Sequence, residues 1–223
     1  MTPVDARQRA RRGEGDRLRG EILAAAEDLL IETADESAVS IRAIADRVGV
    51  SAPSIYRHFA DKDTLILSVV ESVFGRLDAA LEAAAADAAD PLDEIQRKGR
   101  AYVAFGLEHP EHYRVLFMCK DERKRDMNLD GPSVVGRAAF DHLQETVARV
   151  IALAEPGTPT PDPFAMTCDV WTAVHGITSL RIAMPFFPWP PVEEQLRLIA
   201  DPWRAALCPN LRHGSPGPAG TSA

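Results

Sequence analysis

The sequence predicts an all-α protein: an N-terminal three-helix unit containing a helix-turn-helix, followed by a helical body. Three observations carry this expectation. Apolar residues recur at helical spacing almost throughout, no alternating strand pattern of useful length occurs, and aspartate–proline pairs stand where helices would begin. The chain has 223 residues, 46% of them hydrophobic, enough to bury a genuine core.

Residues 1–15 have no hydrophobic period, and residues 209–223 are rich in Gly, Pro and Ser; both stretches are expected to be disordered. Ile22, Ala26, Leu29, Leu30 and Thr33 share one face of a first helix. Ser40 is an N-cap for a short helix through Ile41, Ile44, Ala45 and Val48, which Gly49 ends. Ser51 caps the next helix, with Pro53 in its first turn, where a missing N–H costs nothing. Asp61 caps a long helix whose apolar stripe is Ile66, Val70, Val73, Leu77 and Leu81. Asp90-Pro91, Pro110 and Asp162-Pro163 open helices at about 91–108, 110–118 and 163–183. Others fall at about 133–153 and 191–207, Pro202 either kinking the last or opening a final turn. The expected division is an Arg-rich arm at 1–15, a helix-turn-helix at 16–62, a ligand-binding and dimerisation body at 63–208, and a tail at 209–223.

Several function classes lose support. Cys119, Cys168 and Cys208 are widely spaced and form no C-x-x-C pair, which argues against a disulfide framework or a zinc knuckle. No apolar run approaches the ~18 residues of a membrane helix, and the first twenty residues lack the apolar stretch of a secretory signal, so no membrane partner and a cytoplasmic location are expected. Neither a dinucleotide fingerprint, nor a P-loop, nor a nucleophile elbow occurs, so no catalytic residue, enzyme activity or cofactor is expected. A helical enzyme without a recognisable motif is the weakest alternative. A metal-responsive regulator is another, since folding could gather His109, Glu111, His112 and His175; His-x-x-His without a third local ligand is weak, and no metal is expected.

Net charge is −8, which at first sight opposes nucleic-acid binding. The distribution matters more. Residues 1–20 set six arginines against Asp5, Glu14 and Asp16, a balance of +3. Residues 40–62 set Arg42, Arg47, Arg57 and Lys62 against Asp46 and Asp61, a balance of +2, while residues 21–39 hold six acids and no base.

Ser40 to Phe59 is the informative segment. Two short helices around a turn of about four residues centred on Gly49 have the spacing by which one helix supports another in the DNA major groove. Ile41, Ile44, Ala45, Val48, Val50, Ile55 and Phe59 supply a small core, leaving Arg42, Ala52, Pro53, Ser54, Tyr56, Arg57 and His58 for an outer surface able to meet phosphates and base edges. A plain helical hairpin has the same spacing. The run of tyrosine, arginine and histidine, with lysine at the next helix start, favours DNA.

The stretch V-S-I-R-A-I-A-D-R-V-G-V-S-A-P-S-I-Y-R-H-F-A-D-K-D-T-L (Val39 to Leu65) resembles the DNA-binding signature of the TetR family of repressors. The resemblance implies phosphate contacts by Tyr56, His58 and Lys62, a phosphate bond from Ser40, and an approach of Arg42 to a guanine edge. It places Ser51, Ala52, Pro53 and Ser54 on the leading edge of the recognition helix, and Arg57 at a variable position suited to base reading. Tyr56 and His58 could instead be half-buried packing residues.

W-T-A-V-H-G (Trp171 to Gly176) and H-P-E-H-Y-R-V-L-F (His109 to Phe117) resemble a C-terminal regulatory domain of a TetR subgroup. That resemblance implies a homodimer formed by the segments 163–183 and 191–207, a palindromic duplex as partner, and a small-molecule effector. Candidate pocket residues are Tyr102, Phe105, Tyr113, Phe117, Met118, Phe140, Trp171, His175 and Met184. Gly99 and Gly106 leave space beside a helix, for a ligand or for close helix packing. The expected function is a DNA-binding repressor released from its operator by a small, largely apolar ligand.

Overall fold

The computed structural model describes residues 14–33, 35–117 and 136–207. Within them lie α1 (Glu14–Thr33), a 3-10 turn (Glu36–Ala38), α2 (Ile41–Val48), α3 (Ala52–Ile55), α4 (Lys62–Ala85), α5 (Pro91–Glu108), α6 (Pro110–Phe117), α7 (Arg137–Ile151), α8 (Pro163–Ala183) and α9 (Val192–Leu207), with no strand among the described residues. The expected all-α fold is what forms. The arm at 1–13, Met118, Cys119, Cys208 and the tail lie outside the described residues.

The helix starts follow the capping chemistry read from the sequence. Asp61 Oδ1 accepts the Thr64 N–H at 2.7 Å, Asp90 Oδ1 accepts those of Leu92 and Asp93 at 2.8 and 2.9 Å, and Asp162 Oδ2 accepts that of Ala165 at 2.8 Å. Each satisfies N–H groups that a helix start leaves open. In α9 the helix continues past Pro202 to bury Arg204 and Leu207. Among the described residues no helix is long and apolar enough to cross a membrane.

The chain forms two compact units. Among the described residues, the first gathers those up to Arg76 together with 109–117 and 136–137; the second gathers Leu77–Glu108 and 138–207. The expected boundary at 62/63 is therefore displaced into the middle of α4. Its first half belongs to the first unit because Leu65, Ile66, Val69, Val70 and Val73 are all buried there. Helix α6 joins the same unit through His112 Nε2, 2.7 Å from Glu27 Oε1, and through Phe117, edge-on to Phe74 at 5.6 Å. On α1 the buried face is Ile22, Ala25, Ala26 and Leu30. Thr33, expected on that face, is exposed, its hydroxyl donating back to the Leu29 carbonyl at 2.7 Å.

In the second unit Leu92, Val147, Val150, Met166 and Leu207 form a buried cluster, with Ile95 and Trp203 packed on it. A Cβ on Gly99 would lie 3.2 Å from Leu196 Cδ2 and 3.6 Å from Val174 Cγ1, so this glycine lets α5 approach α8 and α9 closely and leaves no ligand space. Lys98 is only 5% exposed, yet its ammonium is satisfied by Glu82 at 2.7 Å, Glu94 at 2.9 Å and the Thr146 hydroxyl at 3.2 Å. A buried cation so paired is tolerated, and removing one partner leaves it uncompensated.

Burial alone would raise the Glu94 pKa, but bonds from Arg149, Lys98 and Thr146 outweigh it and bring the carboxyl down to about 2. A carboxylate depressed by folding contributes stability above its ordinary value of 4.5 and loses it as pH falls toward 2. Glu94→Gln should therefore lower stability to urea at pH 7 by about 1–3 kcal/mol, with the gap to the parent protein narrowing as the pH drops below 4.5. A gap that stays constant into strong acid would show that the network contributes packing and not charge.

Candidate nucleic-acid interface

Helix α3 is a single turn, Ala52–Ile55, continued by the bonds from His58 N–H and Phe59 N–H to the Ile55 carbonyl at 2.8 and 3.1 Å. It is held from beneath by Ile55 (0% exposed) and Phe59 (2%), and Ile44 (0%) of α2 is buried as well. The Arg19 guanidinium of α1 lies 4.9 Å above the Phe59 ring. Gly49 ends α2 with φ 76°, a left-handed conformation that lets the chain reverse toward Ser51 within the turn.

The surface above this core carries the expected polar groups. Ser40 is exposed and caps α2, its hydroxyl accepting the Ala43 N–H at 3.1 Å. Ser51 stands at the N-cap position of α3 without making the expected side-chain cap; its hydroxyl lies 2.9 Å from that of Ser54, which accepts from Arg57 Nη2 at 3.1 Å. Ser51, Ser54 and Arg57 thus form one hydrogen-bonded row along α3, three residues apart, while Pro53 is exposed and Ala52 half-buried. Tyr56 is 53% exposed, which removes its reading as a packing residue. His58 is half-buried, and a Cβ on Gly15 of α1 would come within 3.9 Å of its Cε1, so that side chain does pack.

The four cations of this segment have different fates. Arg47 makes a two-pronged pair with Glu32 at 2.8 and 2.7 Å, raising the arginine pKa and lowering that of the glutamate through the hydrogen bonds between them. Lys62 reaches under the 3-10 turn and donates to the carbonyls of Glu36 and Val39 at 3.0 and 3.2 Å, which the sequence did not foretell. Two of its three donors are spent there, leaving one for a phosphate. Arg42 is exposed, and among the described residues neither Arg42 nor Arg57 makes an ion pair.

The candidate pocket residues are distributed over both units. Tyr113 (1% exposed) packs on Phe117 at 4.8 Å in the first unit, as core. In the second unit the Tyr102 hydroxyl is 3.3 Å from His175 Nδ1, and burial lowers the His175 pKa. Half-buried Phe140 and Trp171 pack at 6.0 Å, Phe105 is half-buried, and Met184, expected to line a pocket, is 43% exposed. Met118 lies outside the described residues. A crevice bounded by Leu92, Ile95, Met166, Val174, Leu196 and Trp203 has a volume of about 30 Å³, room for about one water, and none of the candidates lines it. Of the histidines weighed as metal ligands, His109 meets His112 edge-on at 5.5 Å, His112 is bonded to Glu27, and His175 faces the Tyr102 hydroxyl.

Two family models match this chain: one described as bacterial regulatory proteins, tetR family, over residues 22–69, and one described as the tetracyclin repressor-like C-terminal domain, over residues 95–201. The first contains the whole interface just described. The chain belongs to the TetR family of transcription regulators. Among curated proteins, the HTH-type transcriptional activator FasR of Mycolicibacterium smegmatis is 29% identical over 115 residues, 52% of each chain. The chain thus spans about half the length of the curated relatives it matches. A solved structure of a protein with unknown function from Rhodococcus sp. RHA1 is 27% identical, with TM-score 0.67, covering 91% of this chain and 100% of that one. A TetR family regulator from Marinobacter aquaeolei VT8, 20% identical with TM-score 0.63 over 83% of this chain and 95% of its own, shares the fold.

Because Lys62 holds two backbone carbonyls, Lys62→Met should cost about 1–3 kcal/mol of folding stability in denaturant melts, besides any loss of DNA affinity. Unchanged melts with weakened binding to every duplex would make its role purely one of phosphate contact.

Proposed function

We propose that this TetR-family regulator acts as a homodimer that binds a palindromic operator through α3 and is released from it by a small, largely apolar effector. The observation that carries the reading is the Ser51–Ser54–Arg57 row on the exposed side of α3, together with an Arg42 free of ion pairs. Serine hydroxyls and arginine guanidinium groups are the donors that meet phosphates and guanine edges, and a fork-shaped guanidinium can engage O6 and N7 of one guanine. Tyr56, Ser40, His58 and Lys62 are the backbone-positioning set; Ala52 and Pro53 offer apolar contact to thymine methyls.

Dimerisation through α8 and α9 is supported by the apolar side chains these segments leave in water: Phe164 (43% exposed), Leu180 (46%) and Leu198 (64%), with Phe187 (52%) in the loop between the helices. Exposed apolar side chains of this kind are costly to hydrate and are commonly covered by a second copy. The second unit is the natural seat of an effector. Its crevice of about 30 Å³ has room for about one water, so an effector seated there requires that the crevice widen.

Selection from a random duplex pool should return a two-fold-symmetric consensus, and light scattering should give a dimer. Arg57→Ala should cost ~1–3 kcal/mol at one base-pair position of each half-site while leaving the rest of the consensus unchanged. A non-symmetric site bound by a monomer would refute the proposal.

A further inference from the structure

We propose that Asp78, Glu82 and His142 bind one divalent transition-metal cation of the zinc type, at a site carried wholly by the second unit. Asp78 and Glu82 are four residues apart on α4, hence on one face one turn apart, and His142 is on α7. His142 Nδ1 lies 3.0 Å from Asp78 Oδ1 and 3.9 Å from Glu82 Oε1, and the three donor atoms all fall within 4.8 Å of one another. Ligands ~2.1 Å from a common ion at tetrahedral or octahedral angles are ~3.0–3.4 Å apart, so one pair is already at that spacing and a small swing of Glu82 completes the set. Glu82 is 46% exposed and His142 42%, so an ion has access from solvent.

Charge supports occupancy. The groups joined here are Asp78, Glu82, Glu94 and Glu145 on one side and Lys98 and Arg149 on the other, four carboxylates against two cations, an excess of two negative charges when the imidazole is neutral. A dication cancels that excess. Lys98 Nζ donates to Glu82 Oε1 at 2.7 Å, the same oxygen that lies 3.9 Å from His142 Nδ1, so a turn of the carboxylate that brings Oε2 forward supplies the ligand while Lys98 keeps Oε1. One imidazole nitrogen with two carboxylate oxygens suits Zn²⁺, Co²⁺ or Mn²⁺, and three protein ligands leave a coordination position for water or a small anion. The histidines conspicuous in the sequence are not this site, since His112 is committed to Glu27.

The inference stands apart from the DNA-reading proposal, because metal uptake is read without DNA. The test uses the full chain stripped with chelator, titrated with Co²⁺ under visible absorption and with Zn²⁺ by calorimetry. One ion per chain with micromolar affinity is expected. Asp78→Asn, Glu82→Gln and His142→Gln should each weaken it at least about tenfold, with circular dichroism confirming that the variants remain helical, while a His109→Gln, His112→Gln double variant should bind like the parent. No uptake into the millimolar range, uptake unchanged in the three variants and so adventitious, or uptake lost in the double variant would each overturn the proposal.

Discussion

A one-turn helix has no stability of its own, and the DNA-reading surface depends on how this one is held. Isolated helices below ~12–15 residues are marginal in water, so the direction of α3 is set by the burial of Ile55 and Phe59 and by its packing beside α2. The left-handed Gly49 fixes the angle between α2 and α3. With its underside fully committed, α3 presents the Ser51–Ser54–Arg57 row to solvent as a geometrical consequence, since residues three apart share a helix face.

The same frame sorts the charges. An overall balance of −8 would repel a duplex if spread evenly, and the acids between 21 and 39 lie close in sequence to the interface. Folding pairs part of that acidity: exposed Glu32 takes Arg47, and Glu27 takes Arg76 and His112. The cations used up in this way hold α1 to α2, α4 and α6. Among the described residues Arg42 and Arg57 have no acid paired with them, which is what the proposed recognition role requires.

Much of this was legible because it is local. Caps at Asp61, Asp90 and Asp162 announce themselves within three residues, and the buried stripe of α4 follows from its period; the spans of α5 and α8 agree with those signals. What was not legible depends on residues distant in sequence. Lys62 bonds carbonyls 26 and 23 residues away, Gly99 opposes Leu196, and Tyr113 is fully buried, none of which a helical period can reveal. The Asp78–Glu82–His142 group was missed for the same reason: its carboxylates are visible as a pair on one helix, but its histidine is 60 or more residues away on another.

The central claim is that residues 40–62 of the first unit form the surface that meets DNA. Amide hydrogen exchange of the full chain, with and without a saturating selected duplex, tests it most directly. Slowed exchange concentrated in α2, α3 and the start of α4 is the predicted result. Protection confined to the second unit, with residues 40–62 unchanged, would contradict it.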